Sequence, residues 1–289
     1  MEQEILKNNL AKINVEVDLF GNEHKKLSMA DRIGFIPVSV WKPDWGIVNT
    51  LKPIIGDTGE TRQLVGDKMN LMGSKYETSI FNPHLAQMIL SAYCPSNARI
   101  FDPFAGGGTR GFIATAMGHE YFGFEIRQEE VDRIKAHQRK LENEFTIICA
   151  DSCKKPPENV CQTEEFDFCY TCPPYYNLEV YSKTDGDISN APTYQGFLDS
   201  LYWSIFNTYQ VLKPGSLAVW VVGNFRDKGG NLIHFNGDLV RLANDAGFRL
   251  HDELIFWGAA GIAASRAGQF AANRKSVRVH EYIIVLKKP

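Results

Sequence analysis

The chain has 289 residues, of which 44% are hydrophobic, and it carries a formal net charge of −3 with a pI near 6.2. This apolar content excludes a disordered chain, and the slight acidity argues against a protein that coats nucleic acid without specificity. No apolar run reaches the ~18 residues of a membrane span, and the first residues lack the basic and apolar regions of a secretory signal. We therefore expect one main domain, located in the cytoplasm and without a membrane partner.

Six cysteines are spread along the chain. Several lie in apolar, strand-like runs, so we expect free thiols rather than a disulfide framework. Cys169 and Cys172 have the spacing of a redox or zinc motif, but no second pair of ligands follows at a zinc-like interval. The sequence therefore predicts no metal site.

Residues 1–75 show no clean hydrophobic periodicity and contain Pro37, Pro43, Pro53, Trp41 and Trp45. We predict that they form a separate N-terminal segment. A structural cap beside the main domain is the favoured interpretation, and a contact with nucleic acid is the alternative. The main domain is then predicted over residues 76–289.

From residue 80 onward, helical and strand-like patterns alternate regularly. The predicted helices cover residues 83–94, 110–117, 128–142, 194–212 and 235–246. The predicted strands cover residues 98–102, 121–126, 145–149, 166–171, 217–222, 249–256 and 280–286. The last two strands follow one another without a helical crossover, so we expect them to pair antiparallel. The pattern predicts an α/β fold with a mostly parallel sheet of seven strands and helices on both faces.

A glycine-rich string, Phe101-Asp-Pro-Phe-Ala-Gly-Gly-Gly-Thr109, joins the first of these strands to the helix that follows. Glycines let a backbone approach a ligand closely, and the helix N-terminus beyond them offers unpaired N–H groups. The next strand ends near Glu125, at the spacing where an acid reaches ribose hydroxyls. The glycine loop and the acidic residue are also typical of dinucleotide-binding enzymes.

A second string, Thr171-Cys-Pro-Pro-Tyr-Tyr176, follows the fourth predicted strand. The first string resembles motif I of the amino-directed DNA methyltransferases, and the second resembles their motif IV, usually Asp, Asn or Ser followed by Pro-Pro-Tyr. Residues 221–230, followed by Arg266, Phe270 and Arg274-Lys275, resemble phage and prophage enzymes of this type. The resemblance covers residues 78–287 and implies the Rossmann-like class I methyltransferase sheet, with its last strands antiparallel.

The resemblance implies S-adenosyl-L-methionine as the methyl donor. In it, residues 102–109 take the methionine part, Glu125 the ribose, and Asp151-Ser152 the adenine amino group, while Phe81 belongs to a segment like motif X that completes the pocket. The implied donor-binding residues are Phe81, Asp102, Pro103, Phe104, Ala105, Gly106, Gly107, Gly108, Thr109, Glu125, Asp151 and Ser152.

The resemblance also assigns the catalytic residues as Cys172, Pro173, Pro174 and Tyr175. An exocyclic amino group is a poor nucleophile because its lone pair is delocalised, so the family uses hydrogen-bond acceptors and stacks the base on the tyrosine. Cys172 departs from the family pattern, since a thiol is a weaker acceptor than carboxylate, amide or hydroxyl. Adenine N6 and cytosine N4 both remain open as targets. Covalent attack of the cysteine on cytosine C6 is a third, less favoured interpretation, for which the sequence has no partner motif.

A base inside a duplex cannot reach such a pocket, so the target must be flipped out. The expected nucleic-acid contacts are Tyr176, Arg226, Arg266, Arg274, Lys275 and Arg278. No separate domain for DNA sequence recognition fits between the motifs. We therefore expect loops near residues 177–193, 224–236 and 258–279 to contact the DNA, and we expect a short or relaxed recognition sequence. The expected partner is DNA, and the protein is expected to be a monomer or a homodimer. A restriction endonuclease is a further partner compatible with this type of enzyme.

Two other functions remain open from the sequence. The first is an RNA amino-group methyltransferase, since the same clamp also serves RNA. The second is a catalytically silent module that binds the donor or nucleic acid, with Cys172 marking lost activity. Transfer of a labelled methyl group to DNA, to RNA or to neither separates these alternatives.

Overall fold

The computed structural model describes residues 38–55, 80–154, 164–176, 186–258 and 267–289. Residues 40–289 form one compact unit, and a second unit, residues 1–39, lies almost wholly outside the described residues. The predicted boundary at residues 75 and 76 stays a prediction. Within the predicted N-terminal segment, strand β1 (Val40–Trp41) and helix α1 (Trp45–Ile55) are described.

The helices of the main domain begin with α2 (Pro83–Tyr93), α3 (Thr109–Ala116) and α4 (Gln128–Leu141). They continue with α5 (Tyr194–Val211), α6 (Phe235–Asp245) and the short α7 (Ala267–Asn273). Asn82 begins α2 by accepting hydrogen bonds from the backbone N–H groups of His84 at 3.0 Å and Leu85 at 3.1 Å. An Asn–Pro pair is a strong start signal for a helix, which explains why this helix is predicted within one residue of its ends.

Eight strands form one sheet, in the order β1-β9-β10-β6-β5-β2-β3-β4. Their bounds are β2 (Arg99–Asp102), β3 (Glu120–Glu125), β4 (Thr146–Cys149), β5 (Phe166–Thr171), β6 (Leu212–Val222), β9 (Arg249–Trp257) and β10 (His280–Lys287). Strands β2 to β6 run parallel, and β10 lies antiparallel between β6 and β9. The predicted Rossmann-like fold with an antiparallel end is therefore confirmed.

The sheet differs from the prediction in its strand number, eight rather than seven. The additional strand is β1, which pairs parallel with β9 at the sheet edge. It has only two residues, too few for a periodic pattern, so the sequence gives no signal for it. A further two-stranded sheet, β7 (Phe225–Arg226) with β8 (Leu232–Ile233), lies in the loop region predicted around residues 224–236.

Helices cover both faces of the sheet. Helices α5 and α6 contribute to one hydrophobic cluster with β5 and β6, whereas α1, α2 and α3 pack against one another. Strand β5 is buried along most of its length, as expected for a central parallel strand covered on both faces. The carboxyl ends of β2, β3, β4 and β5 thus meet at one edge of the sheet, where open α/β folds bind ligands.

No helix among the described segments is long and apolar enough to span a membrane. The described residues also contain no cluster of three or more histidine, cysteine or acidic side chains suited to a metal ion.

Candidate active site

A cavity of about 360 Å³ lies at this edge of the sheet. Its size falls within the range of about 300–1,000 Å³ that small-molecule sites occupy. Both predicted strings line it, together with the ends of β3 and β4 and the start of β10. The predicted site residues that line it are Phe81, Pro103, Phe104, Ala105, Gly106, Gly107, Thr109, Glu125, Asp151, Ser152, Cys172, Pro173, Pro174, Tyr175 and Arg278. The structure therefore brings the two motifs to one site.

We call the part of the cavity lined by the loops after β2, β3 and β4 the donor side. Gly106 in this loop has φ +54°, and a Cβ added there would meet only the Phe104 carbonyl oxygen, at 3.9 Å. The position therefore needs glycine for its backbone and leaves open space in front of it. The loop then enters α3 through Gly108 and Thr109.

Two carboxylates line the donor side. Glu125 accepts hydrogen bonds from the backbone and side chain of Arg127, both at 3.0 Å and both on Oε1. Burial raises the pKa of the Glu125 carboxyl, and Arg127 opposes this shift. Asp151 accepts from the backbone N–H of Cys153 at 2.9 Å, and the Ser152 carbonyl accepts from Asn207 at 3.0 Å. These bonds fix both acidic side chains at the cavity wall.

Asp102 does not line the cavity. Its carboxylate is fully buried and accepts from the Phe104 N–H at 3.0 Å and from Arg110, Tyr121 and Thr171, each at 2.6 Å. A carboxylate has about four acceptor positions, so protein donors occupy all of them. Asp102, predicted as a donor ligand, instead ties the glycine loop to the end of β5 through Thr171.

Gly108 is also turned away from the cavity. It caps α3 with φ +78°, and a Cβ added there would meet the Ile134 side chain of α4 at 3.2 Å. Glycine at this position serves the left-handed backbone and the close packing of α4, rather than the approach of a ligand.

Arg110 lines the cavity and was missed by sequence reasoning. Its Nη2 donates to the Phe104 carbonyl at 2.5 Å, and its guanidinium lies 4.9 Å from the centroid of the Phe81 ring. Burial alone would lower the pKa of Arg110, but the neighbouring charge of Asp102 raises it. Arg110 thus links Phe81, the glycine loop and the second string with one fixed positive charge.

We call the other part of the cavity, lined by Cys172, Pro173, Tyr175 and the start of β10, the substrate side. The Tyr175 hydroxyl donates to Glu281 Oε1 at 3.1 Å. The Tyr175 ring packs edge-on against Phe225 and Phe235, with centroid distances of 6.3 and 6.2 Å. These contacts fix the tyrosine that the resemblance assigns to base stacking.

The start of β10 adds charged groups to the substrate side. Arg278, His280 and Glu281 all line the cavity. The Nε atom of Arg278 is buried and has no hydrogen-bond partner among the residues that the structure describes. Burial raises the pKa of Glu281, while the bond from Tyr175 opposes the shift; burial and Arg278 lower the pKa of His280. Glu281 was not predicted, because it lies at the start of a run that reads only as a buried strand.

Four predicted nucleic-acid contacts lie outside the cavity lining. Tyr176 packs in an aromatic cluster, 5.5 Å from Tyr194 and 5.7 Å from Phe197 between ring centroids. Arg226 donates to the Gly230 carbonyl at 3.2 Å within the β7–β8 hairpin.

The other two predicted nucleic-acid contacts, Arg274 and Lys275, lie after α7. Lys275 approaches the β7–β8 hairpin, and Arg274 is exposed beside Phe270. Arg266 lies outside the described residues, as do residues 177–185 and 259–266 of the predicted recognition loops.

Comparison with solved structures supports the fold. SpnF, a [4+2]-cyclase, is similar with a TM-score of 0.51 and 15% identity, covering 84% of this chain and 94% of SpnF. TrmN from Thermus thermophilus has a TM-score of 0.49 and 17% identity over 72% of this chain, which spans only 49% of TrmN. A SAM-dependent methyltransferase from Methanosarcina mazei has a TM-score of 0.47 and 16% identity, covering 69% of this chain and 96% of that one. No curated protein matches the chain.

The sheet order is that of the Rossmann-like methyltransferase fold. Residues 39–136 match the family model of the N6 and N4 type described as DNA methylase. The resemblance to amino-directed methyltransferases is thereby confirmed, while its phage or prophage type has no support in the match. The matched segment contains the glycine loop and Glu125 but ends before the second string. The second string is therefore evidence in addition to the family match.

The residues present fit the expected donor. Glu125 and Asp151 offer carboxylate acceptors for hydroxyl and amino groups on one wall of the cavity. Gly106 leaves space beside the loop, and the apolar side chains of Phe104, Phe124 and Ile188 complete the lining. A nucleoside joined to a short polar chain requires this combination of acceptors, backbone space and apolar surface.

Proposed function

We propose that this protein is a DNA methyltransferase that transfers a methyl group from S-adenosylmethionine to the exocyclic amino group of a flipped adenine or cytosine. One observation carries the proposal: the glycine loop, the carboxylates of Glu125 and Asp151, and the Cys172–Tyr175 string line one cavity. The family match over residues 39–136 supports the same reaction type.

When bound, S-adenosylmethionine supplies a methyl group on a positively charged sulfur. The chain's own residues must hold the amino nitrogen in line with that methyl group and accept its N–H hydrogens, so that the lone pair is freed from the ring. Methyl transfer would leave the amino nitrogen with one proton to release, and that proton would pass through an acceptor to solvent. The acceptors at this point are the Cys172 side chain and the Pro173 carbonyl.

Tyr175 supports the base by stacking. Its hydroxyl is bonded to Glu281 and its ring edges meet Phe225 and Phe235, so the side chain is fixed before substrate arrives. Stacking on an aromatic ring returns about 1–3 kcal/mol per base. That gain offsets the few kcal/mol needed to take a base out of a duplex.

The test is transfer of an isotopically labelled methyl group to unmodified genomic DNA, with matched RNA in parallel. The nucleosides are then separated and identified by mass spectrometry. We expect label on N6-methyldeoxyadenosine or N4-methyldeoxycytidine, and on neither in a Tyr175→Ala variant that still binds the donor. Label in RNA alone would replace DNA as the substrate, and donor binding without any transfer would favour a silent module.

A further inference from the structure

Glu281 occupies a position on the substrate side that the proposed reaction does not yet use. It stands at the start of β10, opposite Phe256 of β9, and lines the same cavity as Cys172 and Tyr175. The Tyr175 hydroxyl donates to its Oε1 at 3.1 Å. The carboxyl is therefore held in place beside the residue that the base is expected to stack on.

The Glu281 carboxyl lies at the cavity wall as a hydrogen-bond acceptor. Burial raises its pKa, and the bond from Tyr175 opposes this shift. Among the described residues, the other ionisable groups that line this part of the cavity are Arg110, Cys172, Arg278 and His280. A carboxyl group accepts hydrogen bonds whether it is neutral or ionised.

An acceptor at this place suits a base that carries an amino group. Adenine N6 and cytosine N4 are exocyclic amino groups with N–H hydrogens to donate. Thymine and uracil have no exocyclic amino group.

We propose that Glu281 accepts a hydrogen bond from the exocyclic amino group of the target base. It thereby supplies the strong acceptor that a thiol at position 172 does not provide. This inference rests on the proposed function and adds a substrate-contacting residue from the opposite end of the chain. Because the acceptor comes from β10, the residue at the first position of the second string is free to differ from aspartate, asparagine and serine.

The alternative role for Glu281 is to hold Tyr175 alone. Two substitutions and their combination separate the roles. Tyr175→Phe removes the bond between the two side chains while keeping the stacking ring. Glu281→Met keeps the length of the side chain but removes both oxygens. If Glu281 acts only through the Tyr175 hydroxyl, Glu281→Met will cost nothing further once that hydroxyl is gone.

The experiment measures kcat/KM for methyl transfer to the nucleic acid that the wild-type protein modifies. We expect Glu281→Met to lose about 10- to 100-fold, the loss typical of leaving a buried donor without its acceptor, and to lose nearly as much in the Tyr175→Phe background. Glu281→Gln keeps a carbonyl acceptor at the same place, so it should stay within a few-fold of wild type.

The controls report on folding, charge and donor binding. Glu253→Gln removes an exposed acid on the neighbouring strand β9 and should leave kcat/KM unchanged. Donor affinity by calorimetry and the urea midpoint should be the same in Glu281→Met as in wild type, because the donor side is built from other residues.

Wild-type activity in Glu281→Met, or no additional loss in the Tyr175→Phe background, would overturn the inference while leaving the proposed function intact. Loss of donor affinity in step with activity would overturn it too. Absence of methyl transfer to any nucleic acid by the wild-type protein would overturn both proposals.

Discussion

The donor side and the substrate side of the cavity differ in how their polar groups are satisfied. Next to the donor side, the buried carboxylate of Asp102 receives four hydrogen bonds from the protein, and Glu125 receives two from Arg127. On the substrate side, the buried Nε of Arg278 has no partner among the described residues. The donor side is therefore fixed by its own contacts, while the substrate side retains a hydrogen-bond donor for its ligand.

The largest effect on stability is expected from breaking the hydrogen-bond network of Asp102 next to the donor side. Arg110→Ala leaves the fully buried Asp102 carboxylate without its cation, so the free energy of unfolding should fall by about 3–5 kcal/mol in urea titrations. Adding Asp102→Asn should recover part of that loss, because it removes the unpaired charge.

The matched control is Arg241→Ala, whose partners Asp238 and Asp245 lie 3.6 and 3.8 Å away on the surface of α6. An exposed pair of this kind contributes less than about 1 kcal/mol. Equal destabilisation by the two arginine variants would show that the buried network does not fix the donor side.

A smaller effect is expected from Gly106→Ala, which places a methyl group in the space in front of the glycine loop. The affinity for S-adenosylmethionine, measured by calorimetry, should fall at least about tenfold, the equivalent of 1.4 kcal/mol. Gly118→Ala is the control, since it also has a left-handed backbone, with φ +86° and nothing within 4 Å of the added Cβ. Its donor affinity should match wild type, and the same loss in both variants would assign the effect to backbone strain alone.

The smallest effect separates two arginines that the sequence treats alike. Arg278→Ala should lower kcat/KM for DNA about tenfold, and the loss should persist at high salt because a contact inside the cavity is poorly screened. Arg274→Ala, at an exposed position, should reduce the salt dependence by about one ion and lose its effect as salt rises. Identical salt profiles for the two variants would mean that Arg278 is also an outer phosphate contact.

The sequence predicted those parts of the site that lie in short contiguous motifs. The glycine loop and the Cys172–Tyr175 string each follow a strand, and the rule that ligands bind beyond the carboxyl ends of strands brings them together without any coordinates. Asp102 was expected to contact the donor but faces away from the cavity. A motif gives the position of a residue in the chain but not the direction of its side chain.

Arg110 and Glu281 were missed because their roles depend on partners far away in the sequence. Arg110 is charged at the start of a helix that is otherwise apolar, and Glu281 is the second residue of a strand that is apolar beyond it. Each pattern is a usable signal for a buried, paired charge, since such residues are rarely buried without a partner. The short β1 and the β7–β8 hairpin lay below the length at which periodicity is informative.

The position of β10 in the sheet has a consequence for synthesis of the protein. Strand β10 is later in sequence than every other described strand, yet it pairs with β6 on one side and β9 on the other. Until it emerges from the ribosome, the nascent chain exposes two unpaired strand edges, the kind of surface that promotes misassembly. Since Glu281 lies on this strand, the same event completes the sheet and the wall of the cavity, so a partly synthesised chain would have a donor side before it has a place for a base.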